Sequence, residues 1–158
     1  MINLRTTPTN ITTLKPNEIF VFGSNTAGVH GSGAALTARR LFGAALGVGE
    51  GLTGQAYAIP TLIYKEHPEG RNRLSKPTGT EIPDAIIRFL KYAATQPDLT
   101  FFMTLIGTGL AGFTIEEIGN IFLENRDIIP QNVIFPKEFL RIIVGPDNAK
   151  KIDMGYIT

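Results

Sequence analysis

The residues Ile19-Phe20-Val21-Phe22 form an unbroken apolar run that stops at Gly23. A strand without polar alternation must be covered on both faces, as inside a parallel sheet flanked by helices. The period then changes. Ala34, Ala38, Leu41 and Ala45 fall at i, i+4, i+7 and i+11, a helical stripe with Arg39 and Arg40 on its far side. The same alternation returns downstream. Residues 56–60 read as a second buried strand, 99–106 as a third that again ends in glycine, and 132–135 as a fourth. Ile86, Ile87, Leu90, Ala93 and Ala94 mark a helix, with Pro83 in its first turn and Pro97 beyond its end. Thr114-Ile115-Glu116-Glu117 is a capping box ahead of the stripe Ile118, Ile121 and Phe122. Residues 137–142 suit a helix, and 140–144 equally a strand. Residues 2–5 suit an edge strand, 62–83 a long polar loop able to fold over a site as a lid, and 145–158 a loose tail. Strands alternating with helices predict an α/β domain with a largely parallel sheet.

The 158 residues fit one domain, and the 43% hydrophobic and 18% charged shares are those of an ordinary globular protein. A net charge of +1 supplies no field drawing the chain to a nucleic acid polymer or an anionic membrane. With no cysteine, disulfides, thiolate metal ligands and cysteine nucleophiles are excluded. The two histidines are far apart, so no metal site and no cofactor are expected. No apolar run has bilayer length, and Met1-Ile2-Asn3-Leu4-Arg5 lacks the apolar core of a signal peptide. The expected location is cytoplasmic, with no membrane partner; the oligomeric state is left open.

The 17 glycines cluster at 23–33, 43–54 and 107–112. In open α/β sheets, ligands sit beyond the carboxyl ends of the strands, where the first and last clusters fall. Gly107-Thr108-Gly109-Leu110-Ala111-Gly112 matches G-x-G-x-x-G between a strand and a helix. A Rossmann dinucleotide site would place an acidic residue at the end of the next strand, where this chain has Phe135-Pro136. Glu117 in the first helical turn also opposes an incoming phosphate. The loop therefore reads as one whose own N–H groups wrap an anion. An NAD-dependent oxidoreductase is the fold-level alternative.

The first cluster, Gly23-Ser24-Asn25-Thr26-Ala27-Gly28-Val29-His30-Gly31-Ser32-Gly33, also joins a buried strand to a helix. Its small residues leave the main chain bare for a diphosphate or a ribose. Asn25 stands at the strand end, either to hold ribose hydroxyls or to form a turn. His30 is a general base, a polar contact or simply an exposed loop residue. Thr61 reaches the same end from the second strand. Within the middle cluster, residues 47–54 read as a mobile connection. Ser24 and Ser32 show no nucleophile-elbow pattern.

Two such loops together resemble those of a macro domain, the ADP-ribose-binding module, over nearly the whole chain. Val21-Phe22-Gly23-Ser24-Asn25 occupies the place of the family's V-N-A-A-N motif, Gly31-Ser32-Gly33 that of its glycine triplet, and Gly43 that of the glycine closing its helix. Gly107-Thr108-Gly109-Leu110-Ala111-Gly112 is similar to its G-T-G-I-Y-G loop, and Thr9-Asn10-Ile11-Thr12 to its G-D-I-T. The run 19–61 looks most like small stand-alone bacterial and phage members.

The resemblance implies a three-layer α/β/α fold over residues 1–158, with a mostly parallel, mixed central sheet. It also implies an ADP-ribose-like nucleotide as partner. The diphosphate would lie between the N–H groups of Ser32, Gly33 and Ala34 and those of residues 108–112. The distal ribose would approach Asn25, and adenine Asn10 and Ile11. Gly23, Ser24, Gly31, Thr61, Gly107 and Phe113 complete the implied binding set, with Asn25 and His30 catalytic only if the chain is an enzyme. Four departures bear on the site, one of them the uncharged Asn10 in place of the adenine-facing aspartate. Phe22 stands for the first asparagine, Ala35 for the acidic residue of the family's hydrolases, and Ala111 for the aromatic that covers the distal ribose. The expectation is a sensor or sequestering module, open to a cyclic or conjugated derivative. A hydrolase of ADP-ribosyl or ADP-ribose-phosphate derivatives is the alternative.

Overall fold

A computed structural model describes residues 2–66 and 72–153. The chain forms strands β1 (Glu18–Asn25), β2 (Gly51–Thr53), β3 (Ala56–Glu66), β4 (Asn72–Ser75), β5 (Thr100–Met103) and β6 (Val133–Ile134). Its helices are α1 (Gly33–Leu41), α2 (Glu81–Ala94), α3 (Ile115–Glu124), α4 (Lys137–Val144) and α5 (Pro146–Asp153), with a 3-10 turn at Arg126–Ile128. The sheet runs β2-β3-β1-β5-β6, and β4 adds to β3 off this path. β1 is parallel to both β3 and β5, and β5 to β6, while β2 and β4 pair antiparallel with β3. The protein is thus α/β with a mostly parallel, mixed sheet.

Period-two alternation of the buried strands sorts two cores, one on each face. Ile19 and Val21 point with Tyr57, Phe101 and Val133 toward α2, α3 and α4, where Phe89, Phe122 and Phe139 close the larger core. Phe20 and Phe22 point the other way, with Ala58, Phe102 and Ile134, against Ala38 and Phe42 of the α1 region. The result is three layers, α/β/α. Thr114 caps α3 in a reciprocal box with Glu117, as its spacing predicts.

Four expectations change. Residues 62–66 and 72–75 are not loop but the arms of an antiparallel hairpin, extending β3 past the core. His67 and Arg71, assigned to the lid, lie outside the described residues. Residues 137–144 are helical throughout, because Phe139, Leu140 and Ile143 make one buried helical face. The expected loose tail is helix over 146–153, with Ile152 in the larger core. Residues 2–5 form no strand; instead Thr6 bridges Phe135 at the sheet margin. No helix among the described residues is long and apolar enough to cross a membrane.

Candidate functional site

The parallel strands β1 and β5 are neighbours, β5 ending opposite Val21 and β1 running on to Asn25, and beyond each the chain enters a glycine loop. Gly23 sits at their junction: a Cβ there would come within 3.1 Å of Thr61 Oγ1 and 3.3 Å of the Gly107 nitrogen. Beside it, Ser24 pairs with Pro60 and Asn25 with Leu62, so Thr61 is the extra residue of a bulge. Pro60 fits there because it has no N–H for a ladder. Thr61 Oγ1 donates to the Ser24 carbonyl at 3.2 Å.

Above this junction lies a cavity of about 430 Å³. From the first loop its wall takes Gly23, Ser24, Asn25, Gly31, Ser32, Gly33 and Ala34; from the second, Gly107, Thr108, Gly109, Leu110 and Ala111; Thr61 joins them from β3. Sequence reasoning missed Val29, Leu62, Thr104, Leu105 and Ile106. A signal existed for the last three, which fill the step from β5 into the second loop. A second cavity of about 810 Å³ holds Asn10 and Ile11 and shares Gly33, Ala34, Thr104 and Leu105 with the first. The two cavities adjoin at these residues.

The glycines divide by the reason each position needs one. A Cβ at Gly28 would strike the backbone of Gly47 and Val48, and one at Gly49 the Asn25 carbonyl oxygen. The middle cluster, expected to be mobile over 47–54, is therefore packed backbone to backbone against the first loop. Gly33, Gly107 and Gly112 have φ of 58°, 75° and 77°, a left-handed conformation that L side chains rarely adopt. Gly31 and Gly109 have neither reason. Their φ values are not left-handed and a Cβ would meet nothing within 4 Å. Apart from Gly79, whose Cβ would meet only the flexible end of the Glu81 side chain, they alone among the described glycines lack an internal cause, and both line the cavity.

The free N–H groups lie where these glycines are. Ser32 is the N-cap of α1 but accepts no capping bond, and the first turn holds no acidic residue. Among the described residues, the N–H groups of Gly31, Ser32, Gly33 and Ala34 meet no acceptor, nor do those of Gly109, Leu110 and Ala111. Thr108 N–H is instead bound to the Leu105 carbonyl at 3.3 Å, and Gly112 N–H to the Gly109 carbonyl at 3.0 Å. The arc of unpaired N–H groups in the second loop is thus three residues, narrower than the five expected. Orphan amides at a helix start and in a loop concavity make an electropositive arc without any charged side chain.

Three expected site residues lie elsewhere. Phe113 N–H closes the second loop on the Gly107 carbonyl at 2.9 Å. That turns Gly112 and Phe113 to the loop's outer side, where Lys76 Nζ donates to the Gly112 carbonyl at 3.3 Å and stands 4.3 Å from the Phe113 ring centre. His30 is 1% exposed and absent from the cavity wall. Its ring meets Phe22 edge-on at 5.2 Å, and its Nε2 lies 3.4 Å from Ser24 Oγ. Burial holds the imidazole below its ordinary value, with the nearby Val48 backbone opposing and the Arg39 charge adding. His30 is packed beneath the wall, because the loop folds it under rather than out. Phe22 belongs to the same core face.

Asn25 does line the cavity, but its amide first serves the loop. Nδ2 donates to the Val29 carbonyl at 2.8 Å and Oδ1 accepts from Val29 N–H at 3.2 Å. One amide hydrogen and one lone pair remain for a ligand. The main cavity wall contains no acidic, basic or imidazole side chain. Among the described residues no group of three His, Cys, Asp or Glu is placed to hold a metal ion. No protein-family model, curated protein or solved structure matches the chain, so the site is read from its own residues.

Proposed function

We propose that this protein binds ADP-ribose or an ADP-ribose-derived nucleotide, as a cytoplasmic sensor or sequestering module. The observation that carries the reading is the pair Gly31 and Gly109, glycines with no cause inside the protein, which line one cavity from its two glycine loops. A position kept bare although the fold would accept a methyl is explained by something that must approach its backbone. The free N–H groups beside both glycines suit a diphosphate.

The adjoining cavity supplies the rest. The larger cavity, which shares Gly33 and Ala34 with the first, has room for an adenosine beside Asn10 and Ile11. The Asn10 side-chain oxygen would accept from the adenine amino group. The distal ribose would fall against Asn25 and Thr61. Hydrolysis of a bound derivative needs a positioned water and a group to activate it. With Ala35 in the wall and His30 packed beneath it, no observation favours that alternative.

Calorimetry with ADP-ribose tests the reading, alongside a reduced nicotinamide dinucleotide and turnover assays on ADP-ribosylated protein and cyclic ADP-ribose isomers. Binding without turnover is the expected result. Turnover would replace the module by an enzyme, and no binding by any adenine diphosphate overturns the proposal.

A further inference from the structure

Most polar side chains of the main cavity are already committed inside the protein. Thr61 Oγ1 donates to the Ser24 carbonyl (3.2 Å), Thr104 Oγ1 to the Val21 carbonyl (2.8 Å) and Thr108 Oγ1 to the Leu105 carbonyl (2.8 Å). Ser24 Oγ lies 3.3 Å from the Asn25 carbonyl and 3.4 Å from His30 Nε2. Asn25 uses both amide atoms on Val29. A hydroxyl whose hydrogen is spent presents only lone pairs, so it accepts from a sugar hydroxyl and repels an anion. Beyond the backbone cradle, the free side-chain donors are Ser32 Oγ and one Asn25 hydrogen. At the rim of the same cavity, Val29 is 55% exposed and Leu110 84%, the most exposed large apolar side chain among the described residues.

We infer that the cavity selects adenine diphosphates whose distal sugar is uncharged and carries an apolar or aromatic substituent, and that it discriminates against a distal phosphate. The inference rests on the ADP-ribose reading of the site and names which derivative fits it. With adenosine in the larger cavity and the diphosphate against Gly33 and Ala34 of the shared wall, the distal hydroxyls donate to the oxygens of Thr61 and Thr108. A substituent on the anomeric carbon then lies against Val29 and Leu110, covering apolar surface now open to water. A phosphate in that place meets no cationic side chain in the cavity wall, and it sets a charge against the apolar surface of Val29 and Leu110.

The test titrates the intact protein calorimetrically with ADP-ribose, its 1″-phosphate and its 1″-O-phenyl glycoside. The phenyl glycoside binds about tenfold tighter than ADP-ribose, and the phosphate at least about tenfold weaker. A phosphate that binds as well as ADP-ribose, or a phenyl glycoside that binds no better, overturns the inference and leaves the ADP-ribose reading standing. Failure of all three to bind overturns both. Leu110→Ser brings the ratio of phenyl glycoside to ADP-ribose affinity toward one; an unchanged ratio removes Leu110 from the specificity.

Discussion

Gly31→Ala separates a glycine kept for the fold from one kept for a ligand. A Cβ at Gly31 meets no heavy atom within 4 Å, and its backbone is not left-handed. The folded state therefore tolerates the methyl. Removing glycine's freedom from the unfolded chain then stabilises the variant by about 0.4–1 kcal/mol. The cradle responds in the opposite sense. The methyl occupies space through which a phosphate reaches the N–H groups of Gly31 and its neighbours. Losing one charge-assisted hydrogen bond, at about 1.5–3 kcal/mol, weakens ADP-ribose binding about 10- to 150-fold. Urea denaturation and calorimetry on the same preparation read the two halves, and Gly109→Ala repeats the pattern in the second loop. Unchanged affinity in a fully folded variant refutes the cradle. A clear loss of stability refutes the claim that the position is free within the protein.

Glycines of the other kind behave in reverse. Gly28→Ala drives a Cβ into the backbone of Gly47 and Val48 at a φ of 69°, so the denaturation midpoint falls by the equivalent of about 2–4 kcal/mol; a midpoint within error of the parent contradicts the loop packing. Asn132→Ala strips donors from the carbonyls of Ala93, Gln96 and Leu99, which its Nδ2 ties to the start of β6, at a cost of about 1–3 kcal/mol by thermal or chemical melting. Tyr57 has its phenol pushed up from 10.0 to about 12 by burial, then by the Glu50 charge and Tyr92. The folded state holds that proton more tightly than the unfolded one, so its contribution is complete below pH 10 and is lost as pH rises toward 12. Tyr57→Phe flattens that alkaline limb in a pH series of melts. Thr114→Ala costs about 1 kcal/mol. The Glu117 carboxyl is held below its ordinary value by the Thr114 backbone N–H. Its contribution is present above the usual carboxylate range and fades as pH falls through the lowered value, so Glu117→Gln flattens the acid limb.

Legibility followed the range of the forces involved. The run at 19–22 and the box at 114–117 act within a few residues, and both stand where their pattern puts them. The hairpin arms at 62–66 and 72–75 carry only the short apolar stretch Leu62-Ile63-Tyr64 before charged residues, and strand pairing there supplies what burial supplies elsewhere. Residues 146–153 carry little helical signal beyond Ile152, and docking against α4 stabilises that helix. His30 shows the same limit: a histidine between glycines has one local pattern whether it points out or folds under.

The sequence by itself determined the layered α/β architecture and the two glycine loops at the carboxyl ends of β1 and β5. Buried apolar runs, helical stripes and glycine clusters are local properties that survive without knowledge of neighbours. Only the tertiary structure decided which glycines are bare for the fold and which for something outside it. It also decided which loop amides stay unpaired and which hydroxyls are spent on carbonyls. Those outcomes depend on atoms brought together from distant parts of the chain, such as Gly28 against Gly47 or Thr104 against Val21, and no window of sequence contains both partners.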